Sequence, residues 1–182
     1  MAATNWITED YIKKNSVVTE ATDVKILISS IDWCQDYYIK KILGSNLWNE
    51  INDEIEAESV STANRTLLDE WILKALLKYV LYESTTDFFI KYMNKGLLTP
   101  TADGYTTPSQ DSIDKAKLEI KNKAEWYSQQ ATNFLMANNS TYPKYTIQTE
   151  NNAVLPESNA FKSPLYLEDD NEFRIGDSPF RK

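Results

Sequence analysis

Apolar positions recur every three or four residues through several long stretches of the chain, and that spacing predicts helices. Thr8 reads as an N-cap, with Glu9 and Asp10 suited to the positive helix start and Ile7 able to staple onto Ile12. This first short helix should fade near Asn15 and Ser16. A second helix is predicted after Thr22, where Asp23 can also cap, with Val24, Leu27, Ile28, Ile31, Cys34, Tyr38 and Ile42 on one face. Gly44 is its natural stop. A short helix carrying Leu47, Trp48, Ile51 and Ile55 follows and runs out in the polar stretch 56–64. From Arg65, the residues Leu67, Leu68, Trp71, Ile72, Ala75, Leu76, Tyr79 and Val80 form a wide stripe suited to the middle of a bundle. Ser84, Thr85 and Thr86 weaken helix propensity and predict a bend near Thr85. Beyond it, Phe88, Phe89, Tyr92 and Met93 carry the pattern towards Gly96.

Between Gly96 and Pro108 the period breaks, and two short β-prone pieces around Asp103 and Gly104 predict a projecting hairpin-like loop. A last helix is expected from Ser109 or Asp111 to about Ala137, burying Ile113, Ala116, Ile120, Ala124, Tyr127, Ala131 and Phe134. Asp111–Lys115 and Lys121–Glu125 fall one turn apart on its wet side, each pair contributing only ~0.3 kcal/mol. After Asn138 no period is sustained. Residues 139–182 hold four of the six prolines, and aromatic residues recur singly at Tyr142, Tyr145, Phe161, Tyr166, Phe173 and Phe180. That mixture fits an extended arm lying along another surface better than a second core. The expected fold is therefore all-α: a helical bundle of about four to five helices with a projecting loop and an extended C-terminal arm. The division falls at residues 1–145 for the helical domain and 146–182 for the arm.

Composition sharpens this picture mainly by exclusion. In 182 residues there is no histidine and one cysteine, and 19 basic against 27 acidic residues give a net charge of −8. Without imidazole there is no Ser-His-Asp or Cys-His pair and no near-neutral histidine base. One thiol excludes an internal disulfide framework and a thiolate-rich zinc site. The negative field disfavours tracking a nucleic-acid backbone. The N-terminus lacks a signal-peptide pattern and no window is apolar enough to span a membrane, so a reducing cytoplasm and no membrane partner are expected.

The remaining candidates weaken on inspection. Asp32 and Asp36 lie one turn apart but off the apolar face, and read as a solvated surface. The acidic run 168–172 lacks the spacing, the turn glycine and the closing glutamate of a calcium loop. Cys34 sits on an apolar stripe and reads as a small buried hydrophobe. The four glycines are too scattered to cradle a phosphate. Trp33, Trp48, Trp71 and Trp126 fall in helices with no basic stripe beside them, which suits core or interface anchors rather than base-stacking platforms. No catalytic, cofactor-binding or metal residue is assigned, and a non-enzyme is expected.

Three stretches carry a resemblance. The first is Ile7-Thr8-Glu9-Asp10-Tyr11-Ile12 with Tyr38-Ile39-Lys40-Lys41-Ile42-Leu43-Gly44-Ser45-Asn46-Leu47-Trp48. The second is Trp71-Ile72-Leu73-Lys74-Ala75-Leu76-Leu77-Lys78-Tyr79-Val80, running to Asn94-Lys95-Gly96. The third begins Asn122-Lys123-Ala124-Glu125-Trp126-Tyr127 and reaches Tyr142-Pro143-Lys144-Tyr145. In this order they resemble the head–tail connector (adaptor or head-completion) proteins of tailed bacteriophages, in the variant of Bacteroides and crAss-like phages, over about residues 5–145.

The resemblance implies a structural virion protein at the head–tail junction, assembled in the bacterial host cytoplasm. It implies a homo-oligomeric neck ring, about a dodecamer, stacked on the portal protein and meeting an adjacent neck or tail ring. Double-stranded DNA would pass through the channel without specific binding. The loop and arm are then natural cross-subunit contacts, with Leu97, Leu98, Tyr105, Phe161, Tyr166, Phe173 and Phe180 as partner-binding candidates. The charge of −5 on residues 1–149 (15 basic, 20 acidic) and −3 on the remainder (4 basic, 7 acidic) suits a wall from which DNA is repelled. Two other classes stay open: a helical interaction or scaffold module working as monomer or dimer, and an enzyme using a metal on carboxylates alone, which needs an inward-facing acidic cluster.

Overall fold

The computed structural model describes residues 4–16, 18, 24–89, 91–93, 96–98, 109–147 and 154–156, with the side chains of 24, 26, 86–89, 91–93 and 96–98 outside that description. Its elements, in order, are α1 (Glu9–Asn15), α2 (Val24–Cys34), a π turn (Gln35–Ile39), α3 (Lys40–Glu56), α4 (Thr62–Leu67), a second π turn (Leu68–Ile72) and α5 (Leu73–Phe89). There follow a two-stranded hairpin of β1 (Lys91–Met93) and β2 (Gly96–Leu98), then α6 (Gln110–Ala137) and α7 (Pro143–Thr146). The fold is an all-α bundle in which α5 packs against both α2 and α6.

Local signals place the helix starts. The Thr8 hydroxyl accepts the Tyr11 amide at 3.2 Å, and Ile7 and Ile12 are both buried, as a capped and stapled start requires. Ser61 and Ser109 cap α4 and α6 in the same way, each cap contributing about 1 kcal/mol. The core joins Leu27, Ile31 and Cys34 of α2 to Leu43, Leu47 and Ile51 of α3 and to Ile72, Ala75, Leu76 and Val80 around α5. Ala124, Ala131 and Leu135 close it from α6.

The second apolar stripe is corrected in detail. Ile28 is exposed and Tyr38 only half-buried, whereas Gln35 and Ile39 are buried. The π turn is the reason: its wider i→i+5 ring inserts an extra residue and rotates the following face by about 100°. A 3.6-residue period read straight through that turn selects Tyr38 where the structure buries Ile39.

Buried Gln35 has a task. Its Oε1 accepts the Trp6 amide at 2.7 Å and its Nε2 donates to the Thr4 carbonyl at 3.1 Å. These bonds stitch the segment before α1 across the π turn. Trp6 then stacks on Trp48 with ring centroids 4.4 Å apart, and its indole N–H donates to Asn52 Oδ1 at 3.2 Å.

Gly44 interrupts α3 with φ 72° and ψ 161°, where a Cβ would be strained. The break starts a new helical segment at Ser45, whose amide has no carbonyl one turn back. Val154 fills the vacancy. The Ser45 amide donates to its carbonyl at 2.9 Å, and the Val154 amide donates to Ser45 Oγ at 2.8 Å. Asn46 Nδ2 donates to the Ile147 carbonyl at 2.6 Å. The chain beyond α7 is thus tied back to α3, past the point where the arm was expected to begin.

Three further expectations change. The apolar pattern past Phe89 is not helix: Lys91, Tyr92 and Met93 pair antiparallel with Leu98, Leu97 and Gly96. The weak propensity of 84–87 lets α5 end, and Tyr92 and Met93 then serve a strand as readily as a helix. The irregularity in the long rod lies in the turn Leu68–Ile72, while Ser84 and Thr85 sit within α5 with hydroxyls donating to the Val80 and Leu81 carbonyls at 2.6 Å. On α6, Ala116 is exposed and Ile113 half-buried, and Thr132 and Leu135 are buried instead, because the first turns of α6 reach beyond the core. The hairpin-like loop around Asp103 and Gly104 lies outside the described residues.

Candidate functional site

The first π turn also shapes a surface. It presents Tyr37 and Tyr38 beside Tyr79 and Tyr82 of α5, and α6 closes the far side with Lys121, Glu125 and Ser128. Between them lies a cleft of about 540 Å³, open on one side. The Tyr38 and Tyr79 rings stack at 3.9 Å and 8°. The Tyr79 and Ser128 hydroxyls are 3.0 Å apart, and the Tyr38 hydroxyl donates to Glu83 at 2.5 Å. Burial, and next the bond to and charge of Glu83, push the Tyr38 phenol well above its ordinary pKa. Burial and then the Glu83 charge do the same to the Cys34 thiol, so Cys34 is a packed hydrophobe and not a nucleophile.

Amines lie on the aromatic faces around this cleft. Lys41 Nζ sits 3.9 Å from the centroid of the Tyr37 ring, and Lys117 Nζ 4.9 Å from that of Tyr82. Lys121 pairs with Glu125 at 3.5 Å. A smaller cavity of about 290 Å³ lies at the Gly44 break between Asn46, Asn49, Glu50 and Lys144, with Lys144 Nζ 3.7 Å from Glu50.

Among the described residues two aromatic groups stand in solvent. Trp33 stacks on Tyr37 at 4.9 Å and 11°, yet the two are 52% and 42% exposed. Trp126 is 54% exposed and leans on Trp71 at 6.5 Å. On α6, positions 121, 125, 128, 129 and 132 line the cleft, and Trp126 lies about 60° from Gln129 at 100° per residue. The two groups sit on separate elements, the first on α2 and its π turn and the second on α6.

Of the sequence-derived candidates, Leu97 and Leu98 lie in β2, opposite Tyr92 and Lys91. Tyr105, Phe161, Tyr166, Phe173 and Phe180 lie outside the described residues. Among the described residues no three His, Cys, Asp or Glu side chains converge as metal ligands, and no helix is long and apolar enough to cross a membrane. Asp32 and Asp36 are exposed. Sequence reasoning missed the cleft, because its lining comes from four separate elements, the first π turn, α3, α5 and α6. The only hint was the recurrence of Tyr37, Tyr38, Tyr79 and Tyr82 beside lysines.

A family model described as "Family of unknown function (DUF6712)" matches residues 39–153. The chain belongs to this family. The DUF6712 region opens at the last residue of the first π turn and runs through the Gly44 break, both long rods and α7. It takes in the α5 and α6 walls of the cleft, and stops one residue before Val154. No curated protein and no solved structure matches the chain.

Proposed function

We propose that this protein is a structural virion subunit of a tailed bacteriophage. It forms a homo-oligomeric neck ring, of about twelve copies, that joins the portal to the tail and extends the DNA channel without catalysis. The observation that carries the reading is the pair of solvent-facing aromatic groups on separate elements, Trp33–Tyr37 on α2 and its π turn and Trp126 on α6. Exposed aromatics of this size mark contact surfaces. Two unlike patches on separate elements suit a heterologous contact, which closes into a ring when its rotation allows. The net charge of −8 suits a channel wall that repels passing duplex.

Native mass analysis and electron microscopy of the full chain, alone and with purified portal, test it. A ring of cyclic symmetry seated on the portal is expected. A monomer or dimer indifferent to portal would instead favour a helical interaction or scaffold module.

A further inference from the structure

The hydroxyl protons in the tyrosine cleft are already committed. Ser128 donates to the Ala124 carbonyl at 3.0 Å, so Tyr79 supplies the proton in the 3.0 Å pair of the Tyr79 and Ser128 hydroxyls. Tyr38 gives its own to Glu83. What these oxygens offer an occupant is lone pairs. A ligand must therefore bring donors, which disfavours an anion that carries only acceptors.

The surrounding charges narrow the choice. The amines of Lys41, Lys117 and Lys121 stand around the cleft against the carboxylates of Glu83 and Glu125. Glu83 already holds the Tyr38 hydroxyl and Glu125 pairs with Lys121, so an incoming cation meets more repulsion than attraction. A flat aromatic ligand finds stacking faces in use. Tyr38 and Tyr79 lie face to face, Trp33 and Lys41 lie against Tyr37, and Lys117 lies over Tyr82.

A neutral polyol meets all of these conditions. Each of its hydroxyls can donate to a cleft oxygen and accept from an ammonium, and each lysine has three N–H donors to share. Exposed Gln129 and Glu125 add an amide and a carboxylate at the rim, while buried Ile42 and the ring carbons suit the C–H faces of a sugar. A volume of about 540 Å³ admits a small ligand of this kind.

We infer that the cleft binds a neutral saccharide of one or two rings, its hydroxyls donating to the Tyr79 and Ser128 oxygens and accepting from Lys41 and Lys121. The site belongs to a single subunit and goes beyond the neck-ring reading.

The test titrates the ¹⁵N-labelled full chain with maltose, cellobiose, lactose and N,N′-diacetylchitobiose, each to ~20 mM, enough to reveal a Kd of ~1 mM by amide shifts. At least one sugar should shift the amides of residues 121–132 saturably. Tyr79→Phe keeps the ring on Tyr38 but removes its oxygen, and Lys121→Met removes a rim ammonium; each should weaken binding about fivefold. Spermidine and inorganic phosphate, as cationic and anionic probes, should leave the same amides unmoved. The inference is overturned if no sugar shifts the cleft amides, if either charged probe does, or if either variant binds as tightly as the parent.

Discussion

Two aromatic stacks of similar geometry behave differently in this molecule. Trp6 and Trp48 meet at 4.4 Å and 23°, Trp33 and Tyr37 at 4.9 Å and 11°. The first pair is buried and tied by the indole bond to Asn52; the second stands in solvent on the outer face of α2 and its π turn. Ring geometry alone therefore does not say what a stack is for. Burial does. The inner pair holds the start of the chain onto α3, and the outer pair leaves apolar area uncovered.

The largest effect that can break this contrast is at Trp48. Trp48→Ala should lower unfolding free energy by about 3–5 kcal/mol in urea denaturation, since a large buried ring leaves a cavity. An equal loss for Trp33→Ala would erase the distinction. Next comes Gly44, one turn before Trp48. Gly44→Ala should destabilise by about 1–3 kcal/mol, because ψ 161° at positive φ is a region that only glycine enters easily. Ser45→Ala should follow with about 1 kcal/mol, as the Val154 amide loses its acceptor.

Alkaline titration probes the ground between the stacks. Burial holds both the Cys34 thiol and the Tyr38 phenol protonated in the folded state. Both folded pKa values are raised, so the stability tied to them is complete below their unfolded values. It is lost as pH rises above about 8.5 for the thiol and about 10 for the phenol. The urea midpoint should fall progressively above about pH 8.5, and Tyr38→Phe should flatten the part of that fall above about pH 10. The smallest stability effect is expected at the surface. Trp33→Ser and Trp126→Ser should each shift unfolding by no more than about 0.5 kcal/mol, yet remove ring assembly in native mass spectra. Assembly that survives both changes would disconnect the exposed rings from the proposed function.

What could be read from the sequence was whatever depends on near neighbours. The Thr8 cap, the Ile7–Ile12 staple, the Ser109 start of α6 and the i,i+4 pairs of Lys115 and Lys121 all appear where spacing places them. Two kinds of feature were hidden. The π turns change the residue period without a distinctive composition, so Ile39 and Gln35 were passed over in favour of Tyr38. Contacts across large separations were hidden as well: the Tyr142 hydroxyl donates to the Ala63 carbonyl at 2.7 Å, although Tyr142 read as one of several scattered aromatics. The cleft is of this second kind, since α5 and α6 meet the first π turn only in the folded bundle.

The tie between Ser45 and Val154 spans 109 positions, which gives it a consequence for synthesis. At about 5–20 residues per second, the ribosome needs roughly 5–20 s to make the chain between the two. Throughout that interval α3 can form on either side of Gly44, while the Ser45 amide faces water. The joint in the rod is consequently among the last places to become fixed, and a chain stalled before residue 154 should leave it loose.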